Sequence, residues 1–114
     1  MNGEQVAAVV AGWRGHAPEA AVQEHLAGVL AAAGGRVRRE VRVAGGRVDL
    51  VVDRVGVEVK VAGTVAEVAR QVIRYCADPG LDAVVVATTR AAHLGLPRAA
   101  HGKPVIVVHL AGVV

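Results

Sequence analysis

Three charged residues on two neighbouring apolar segments are the strongest candidates for chemistry. Asp49 lies in the first segment, and Glu58 and Lys60 follow in the second, which is Val-Gly-Val-Glu-Val-Lys-Val over residues 55–61. Two carboxylates can share one Mg²⁺ ion, and a lysine beside them is well placed to act on a metal-bound water. The residue types therefore allow metal-assisted hydrolysis.

Both segments alternate between apolar and charged residues, which predicts two adjacent strands. The apolar set, expected on one face, is Val48, Leu50, Val52, Val57, Val59 and Val61. A two-residue turn at 54–55 would set Asp49 opposite Lys60, with Glu58 as a diagonal neighbour about 7–8 Å away along the backbone. A bulge at Gly56 would instead put the carboxylates on opposite faces. A solvated sheet face with an exposed Asp49–Lys60 ion pair is the plainer alternative.

The spacing of apolar residues predicts the elements that carry these side chains. Predicted helices cover 3–13, 18–33 and 65–77, predicted strands cover 36–43, 47–53, 55–61, 83–87 and 105–108, and 88–100 is a short helix or loop. Thr64 and Glu67 form a capping box for the third helix. Antiparallel strands come first and β-helix-β crossovers follow, so we expect an α/β domain with a mixed central sheet flanked by helices.

Composition narrows the class of protein. The chain has 114 residues, 54% of them hydrophobic, which suits one folded domain over 1–114 and excludes disorder. Only 2% are aromatic, which argues against a single-strand binder that stacks bases on Phe or Tyr platforms. No apolar run is long enough to span a membrane. With Cys76 as the single cysteine, we expect a cytoplasmic domain without disulfides or a zinc cluster.

The spaced Asp49…Glu58-Val59-Lys60 motif, on strands that follow a helix, resembles the PD-(D/E)XK nuclease superfamily. Val48 replaces the proline of that signature. The element order resembles the restriction-endonuclease-like αβββαβ core over 18–109, with residues 1–16 as an N-terminal helix extension. Gln71 and Tyr75, four residues apart on the helix after the third strand, are similar to the Gln-x-x-x-Tyr motif of RecB-type members.

This resemblance implies a nuclease that hydrolyses phosphodiester bonds in DNA with Mg²⁺, for which Mn²⁺ would substitute. Asp49, Glu58 and the main-chain carbonyl of Val59 would hold the metal. Lys60 would position or activate the attacking water. Gln71 and Tyr75 would orient Lys60, water or substrate.

Members often carry a further acid on the first core helix, and two candidates exist. Glu19 shares a helical face with Val22 and Leu26, and it resembles the acid of small VRR-NUC-type nucleases. Resemblance to Holliday-junction resolvases would favour Glu24 instead, which points nearly away from that face. We prefer Glu19, as a metal ligand directly or through water.

Positive charge is concentrated near the motif, within a net charge of +3. Arginine binds phosphate well. The predicted nucleic-acid contacts are Arg36, Arg38, Arg47, Arg70, Arg74 and Tyr75. DNA is the expected partner, with RNA possible and no membrane association. A chain of this length has little room for a sequence-reading element, so we expect a homodimer or a place in a larger complex. The alternative function is a nucleic-acid-binding or assembly module that keeps the fold without turnover.

Overall fold

A computed structural model describes residues 1–110, so residues 111–114 of the predicted domain lie outside the described residues. Within that range the chain forms three α-helices, one 3-10 helix and six strands. The elements are α1 (Gly3–Val10), α2 (Glu19–Ala32), β1 (Val37–Val43), β2 (Gly46–Val52), β3 (Val55–Lys60), α3 (Val65–Cys76), β4 (Ala83–Thr88), the 3-10 helix (Ala91–Gly95), β5 (Ala99–Ala100) and β6 (Lys103–His109).

The strands make one mixed sheet in the order β1-β2-β3-β4-β6-β5. The strands β1, β2 and β3 pair antiparallel, whereas β3, β4 and β6 pair parallel. The predicted α/β class and mixed sheet are confirmed. The two-residue strand β5, which pairs antiparallel with β6, lies in a segment that was predicted as a helix or loop.

Most predicted boundaries fall within a few residues of the observed ones, because local signals end the elements. Thr64 caps α3 by accepting the backbone N–H of Glu67 at 3.2 Å. The helix α2 ends one residue earlier than predicted, before the glycine turn at Gly34. The helix α1 ends at Val10 and is three residues shorter than predicted. No helix within residues 1–110 is long and apolar enough to cross a membrane.

The apolar side chains form a layer on each side of the sheet. On the α2 side, α1 and α2 cover residues such as Leu50, Val57 and Val85. On the α3 side, α3 covers residues such as Val51 and Val86. The two layers explain why every residue of the central strand β4 is buried, as expected for a strand covered on both faces.

The turn between β2 and β3 differs from the prediction. Val52 pairs with Val55 and Leu50 pairs with Val57, so the two loop residues are Asp53 and Arg54 rather than 54–55. Asp53 takes a positive φ of 55° and accepts the backbone N–H of Arg36 at 3.3 Å, which ties the turn to the start of β1. The predicted register of Asp49 opposite Lys60 was therefore wrong.

The simple alternation predicted for β2 was also wrong. Val48 and Val51 both pack on the α3 side, whereas Leu50 packs on the α2 side. The strand therefore changes face at Asp49. The paired strand β1 changes face at the same level, where Glu40 has a φ of 49°.

Candidate active site at the fork between β2 and β3

The change of face in β2 places Asp49 at a fork, which we define as the point where β2 and β3 stop pairing past Leu50 and Val57. Side chains bridge the strands there. The Asp49 carboxylate accepts the backbone N–H of Val59 at 2.8 Å, and the Glu58 carboxylate accepts the backbone N–H of Asp49 at 3.2 Å. Asp49 and Glu58 are thus joined by a direct hydrogen bond, whereas the predicted register made them only diagonal neighbours.

Lys60 completes this group. Its Nζ lies 3.2 Å from Glu58 Oε2. The Lys60 side chain is 21% exposed and that of Glu58 is 3% exposed, so the lysine forms the outer part of the pair. The backbone carbonyl of Lys60 accepts the N–H of Thr89 at 3.0 Å, which fixes the end of β3 against the end of β4.

The negative charge of Asp49 opposes the ionisation of Glu58. Burial raises the pKa of Glu58 to about 7, and the neighbouring Asp49 charge adds to this effect, while Lys60 opposes it. Burial also raises the pKa of Asp49. The hydrogen bond from Val59 lowers that pKa, and the charge of Glu19 raises it further. A cation placed between the carboxylates would relieve this repulsion.

Of the two helix acids, Glu19 is the one whose charge acts on Asp49. It lies in the first turn of α2 and is partly buried. Glu24 lies further along α2, where its exposed side chain forms an ion pair with Arg39. That pair lowers the pKa of Glu24 through the hydrogen bond and the charge of Arg39. Glu24 is thus engaged with Arg39, and the role of Glu19 as a metal ligand stays a prediction.

Gln71 and Tyr75 form a relay to the backbone of β2. The Gln71 amide donates to the Tyr75 hydroxyl at 2.8 Å, and that hydroxyl donates to the carbonyl of Arg47 at 2.9 Å. Burial raises the pKa of Tyr75 above its usual value. The pair thus holds the backbone two residues before Asp49, and its role in orienting Lys60, water or substrate stays a prediction. Tyr75 is 1% exposed, which leaves no ring surface for the predicted nucleic-acid contact.

The arginines predicted to contact nucleic acid are all exposed, and they form two groups. Arg36 and Arg38 lie near the β2–β3 turn and line a surface cleft with Arg54 and Asp53. Arg47 lies at the other end of the hairpin, opposite Arg42 of β1. Arg74 belongs to this second group, because its side chain packs against the β1–β2 turn at Gly45. Arg70 stands one turn earlier on α3.

The residues at the fork suit a magnesium ion in the type of their donors. Carboxylate and carbonyl oxygens are the ligands that Mg²⁺ prefers, and it usually keeps several waters beside one or two carboxylates. The N–H and carbonyl of a strand residue point to the same neighbouring strand. The Val59 carbonyl therefore faces the fork, as the Val59 N–H does. Nowhere in residues 1–110 do three or more His, Cys, Asp or Glu side chains form a metal-binding group, so such an ion would rely on Asp49, Glu58, the Val59 carbonyl and water.

His93 supports the segment that follows Lys60, through a hydrogen bond to Gly63. The sequence alone predicts no specific role for this histidine. Its ring is fully buried. Nε2 lies 2.8 Å from the carbonyl of Gly63. Because a carbonyl only accepts, Nε2 carries the proton in the neutral ring, and Nδ1 accepts from the Thr88 hydroxyl at 2.6 Å. Sequence spacing offers no signal for this contact, since His93 and Gly63 are thirty residues apart.

Comparison of this chain with protein-family models, with curated proteins and with solved structures finds no match.

Proposed function

We propose that this chain is a metal-dependent nuclease of the PD-(D/E)XK type that hydrolyses phosphodiester bonds in DNA. The observation that carries the proposal is the grouping of Asp49, Glu58 and Lys60 at the fork, where partly buried Asp49 and buried Glu58 both have raised pKa values. In this proposal the sheet and helices correspond to a restriction-endonuclease-like αβββαβ core.

Asp49, Glu58 and the Val59 carbonyl would hold Mg²⁺ or Mn²⁺, with Glu19 acting directly or through water. When bound, the ion would polarise the phosphate and lower the pKa of a coordinated water. Binding requires both carboxylates to be ionised. Because Glu58 has a pKa of about 7, a rise in pH through 7 favours metal binding.

Lys60 would act on the outer side of the fork. Its ammonium group, held by Glu58, would position the attacking water and offset the negative charge of the transition state. Gln71 and Tyr75 would contribute indirectly, since their hydrogen bonds fix the backbone that leads into Asp49.

The arginines would guide the phosphate backbone across the fork. Arg36 and Arg42 are separated by about 20 Å along the edge strand, at roughly 3.3 Å per residue. Asp49 lies level with the middle of that strand, since its neighbours Val48 and Leu50 pair with Val41 and Arg39.

We propose DNA as the partner, RNA as a possible second substrate, and a homodimer or larger complex as the active form. A reduced thiol at Cys76 suits action in the cytoplasm.

The test is cleavage of linear, nicked, flap and four-way DNA with Mg²⁺ or Mn²⁺ by the wild type, Asp49→Ala and Lys60→Ala. Loss of a metal ligand or of Lys60 should lower the cleavage rate at least 100-fold, because a transition-state contact of this kind contributes about 2.7–4 kcal/mol. Glu24→Ala is the matched control, since it removes an exposed acid of the same helix that carries Glu19. Full metal-dependent cleavage by Asp49→Ala or Lys60→Ala would overturn the assignment.

A second candidate is a nucleic-acid-binding or assembly module without turnover. It is favoured by the observation that Asp49 and Glu58 each already accept a backbone N–H across the fork, which is a structural role in itself. Calorimetric titration with Mg²⁺ or Mn²⁺ separates the two functions. Metal binding that is lost in Asp49→Ala supports the nuclease, and absence of binding supports the module.

A further inference from the structure

A cleft of about 520 Å³ opens beside the fork, on the α2 side of the sheet. Its walls come from the loop between α1 and α2, from α2, and from the carboxyl ends of β3, β4 and β6. The lining residues are Trp13, Gly15, His16, Ala17, Val22, Val61, Thr89, His109 and Leu110. Ligands of open α/β sheets commonly bind at the carboxyl ends of strands, which makes this location suitable for a ligand.

The cleft begins where the fork ends. Val61 directly follows Lys60, and Thr89 donates its backbone N–H to the Lys60 carbonyl at 3.0 Å. On the helix, Val22 lies one turn after Glu19. The cleft therefore lies at the same carboxyl end of β3 as Lys60, on the α2 side of the sheet.

The walls of the cleft select an uncharged, flat group. None of the described lining residues is Asp, Glu, Lys or Arg. Trp13 supplies an aromatic surface whose orientation is fixed, because its Nε1 donates to the Gly15 carbonyl at 3.2 Å and His25 packs against the ring at 4.9 Å between centroids.

Polar groups at the rim of the cleft can read the edge of such a ligand. His109 Nε2 lies 3.2 Å from the carbonyl of Thr89, and a carbonyl only accepts. In the neutral ring, Nδ1 is then a hydrogen-bond acceptor. The Thr89 side chain adds a hydroxyl that can donate or accept. The cleft therefore combines a stacking surface with hydrogen-bonding groups, and its volume lies within the usual range of about 300–1,000 Å³ for ligand sites.

We propose that this cleft binds one unpaired nucleobase of the strand whose phosphate lies at the fork. The inference rests on the proposed nuclease function and deepens it, since it makes a strand with an unpaired base next to the scissile phosphate the preferred substrate. A base has the flat π surface that stacks on an aromatic ring and the edge that pairs with imidazole and hydroxyl groups. The scarcity of aromatic residues still excludes a platform for several bases, but one tryptophan is enough for one base.

The experiment uses Trp13 as its own probe, because it is the only tryptophan in the chain. The wild-type protein is titrated in EDTA with a short single-stranded DNA and with a blunt duplex of the same length, and tryptophan fluorescence is measured. We expect the single strand to quench the fluorescence and the duplex to leave it unchanged. We also expect an abasic sugar, moved along the single strand, to abolish quenching at one position only. Equal quenching by the duplex, or an abasic scan without effect, would overturn the proposal.

Substitutions of Trp13 test whether the fluorescence change reflects a contact that contributes to the affinity for single-stranded DNA. Trp13→Ala should weaken single-strand binding about tenfold, since stacking on one aromatic contributes about 1–3 kcal/mol per base, and Trp13→Phe should retain most of the affinity. Leu94→Ala, on an exposed side chain outside the cleft, should bind as the wild type does. Circular dichroism checks that Trp13→Ala is folded. If Trp13→Ala is folded and binds as tightly as the wild type, the proposal fails.

This result is separable from the nuclease test, because quenching is measured without metal or cleavage. Position-dependent quenching together with unaltered cleavage by Asp49→Ala would support the cleft and overturn the nuclease assignment. Cleavage that depends on Asp49, together with no quenching, would overturn the base-binding cleft alone.

Discussion

Asp49 carries two functions at once, and both follow from its position in the strand. Its carboxylate replaces the missing backbone partner of Val59 where β2 and β3 stop pairing. The same carboxylate lies beside buried Glu58 and raises its pKa. A buried acid whose pKa is raised by a second acid is a candidate functional group.

The raised pKa of Glu58 makes the folded protein less stable as the pH rises. In the unfolded chain a glutamate has its ordinary pKa of 4.5, whereas the pKa of Glu58 in the folded protein is about 7. The folded state therefore binds the proton more tightly, and the stability that this confers is present below 4.5 and is lost as the pH rises through 7.

Glu58→Gln should remove this dependence, because the amide keeps the acceptor for Asp49 N–H and cannot ionise. Urea unfolding in EDTA at pH 5 and pH 8 measures the effect. From pH 5 to pH 8 the wild type should lose about 2 kcal/mol more unfolding free energy than Glu58→Gln. An identical change in both proteins would show that Glu58 does not titrate in this range.

At the scale of elements, the change of face in β2 is the feature that forms the site. Strand periodicity predicted β2 and β3 and placed Asp49, Glu58 and Lys60 on neighbouring strands. The periodicity could not predict the irregular backbone at Glu40 and Asp49, because both are ordinary polar residues in an alternating pattern. The positive φ of Glu40 is also not signalled by a glycine in the sequence.

The register could not be predicted for a related reason. Asp53-Arg54 and Arg54-Val55 are both possible two-residue turns in the sequence, and the choice depends on tertiary contacts of Asp53 with the start of β1. The i, i+4 spacing of Gln71 and Tyr75 correctly predicted that they share a helical face. The sequence could not predict that the Tyr75 hydroxyl binds the Arg47 carbonyl, since the two residues are 28 positions apart in the chain.

The relay from α3 to β2 can be tested with Tyr75→Phe. The variant leaves the Arg47 carbonyl and the Gln71 amide without the hydroxyl between them. We expect a loss of about 1–2 kcal/mol in unfolding free energy, the usual cost of leaving a buried polar group unpaired. Thermal or urea unfolding gives the measurement.

Ile73→Ala is a suitable comparison, because Ile73 lies on the same helix with 40% of its surface exposed and makes none of the relay contacts. It should change the unfolding free energy by no more than about 0.5 kcal/mol, as for most surface positions. If Tyr75→Phe is as mild as Ile73→Ala, the relay does not hold β2 in place.

At the scale of the whole molecule, the net charge of +3 is unevenly distributed. The β1 edge of the sheet carries the two arginine groups on either side of the fork, while the β5–β6 edge carries fewer cations, among them exposed Arg98. Glu58 is buried and Asp49 is partly buried, whereas the arginines around them are exposed. Such an arrangement attracts a polyanion to one side of the molecule.

This asymmetry predicts how DNA binding depends on salt. Each phosphate contact contributes about 0.9 to the slope of log Kd against log salt concentration for duplex DNA. Arg38→Ala and Arg47→Ala, one from each group, should each lower that slope by about 1. Arg98→Ala removes the same charge at the opposite edge of the sheet and should leave the slope unchanged. Fluorescence anisotropy of labelled DNA in EDTA, over a series of salt concentrations, gives the slopes. Equal slopes for Arg38→Ala, Arg47→Ala and Arg98→Ala would mean that DNA responds to net charge alone and does not follow the β1 edge across the fork.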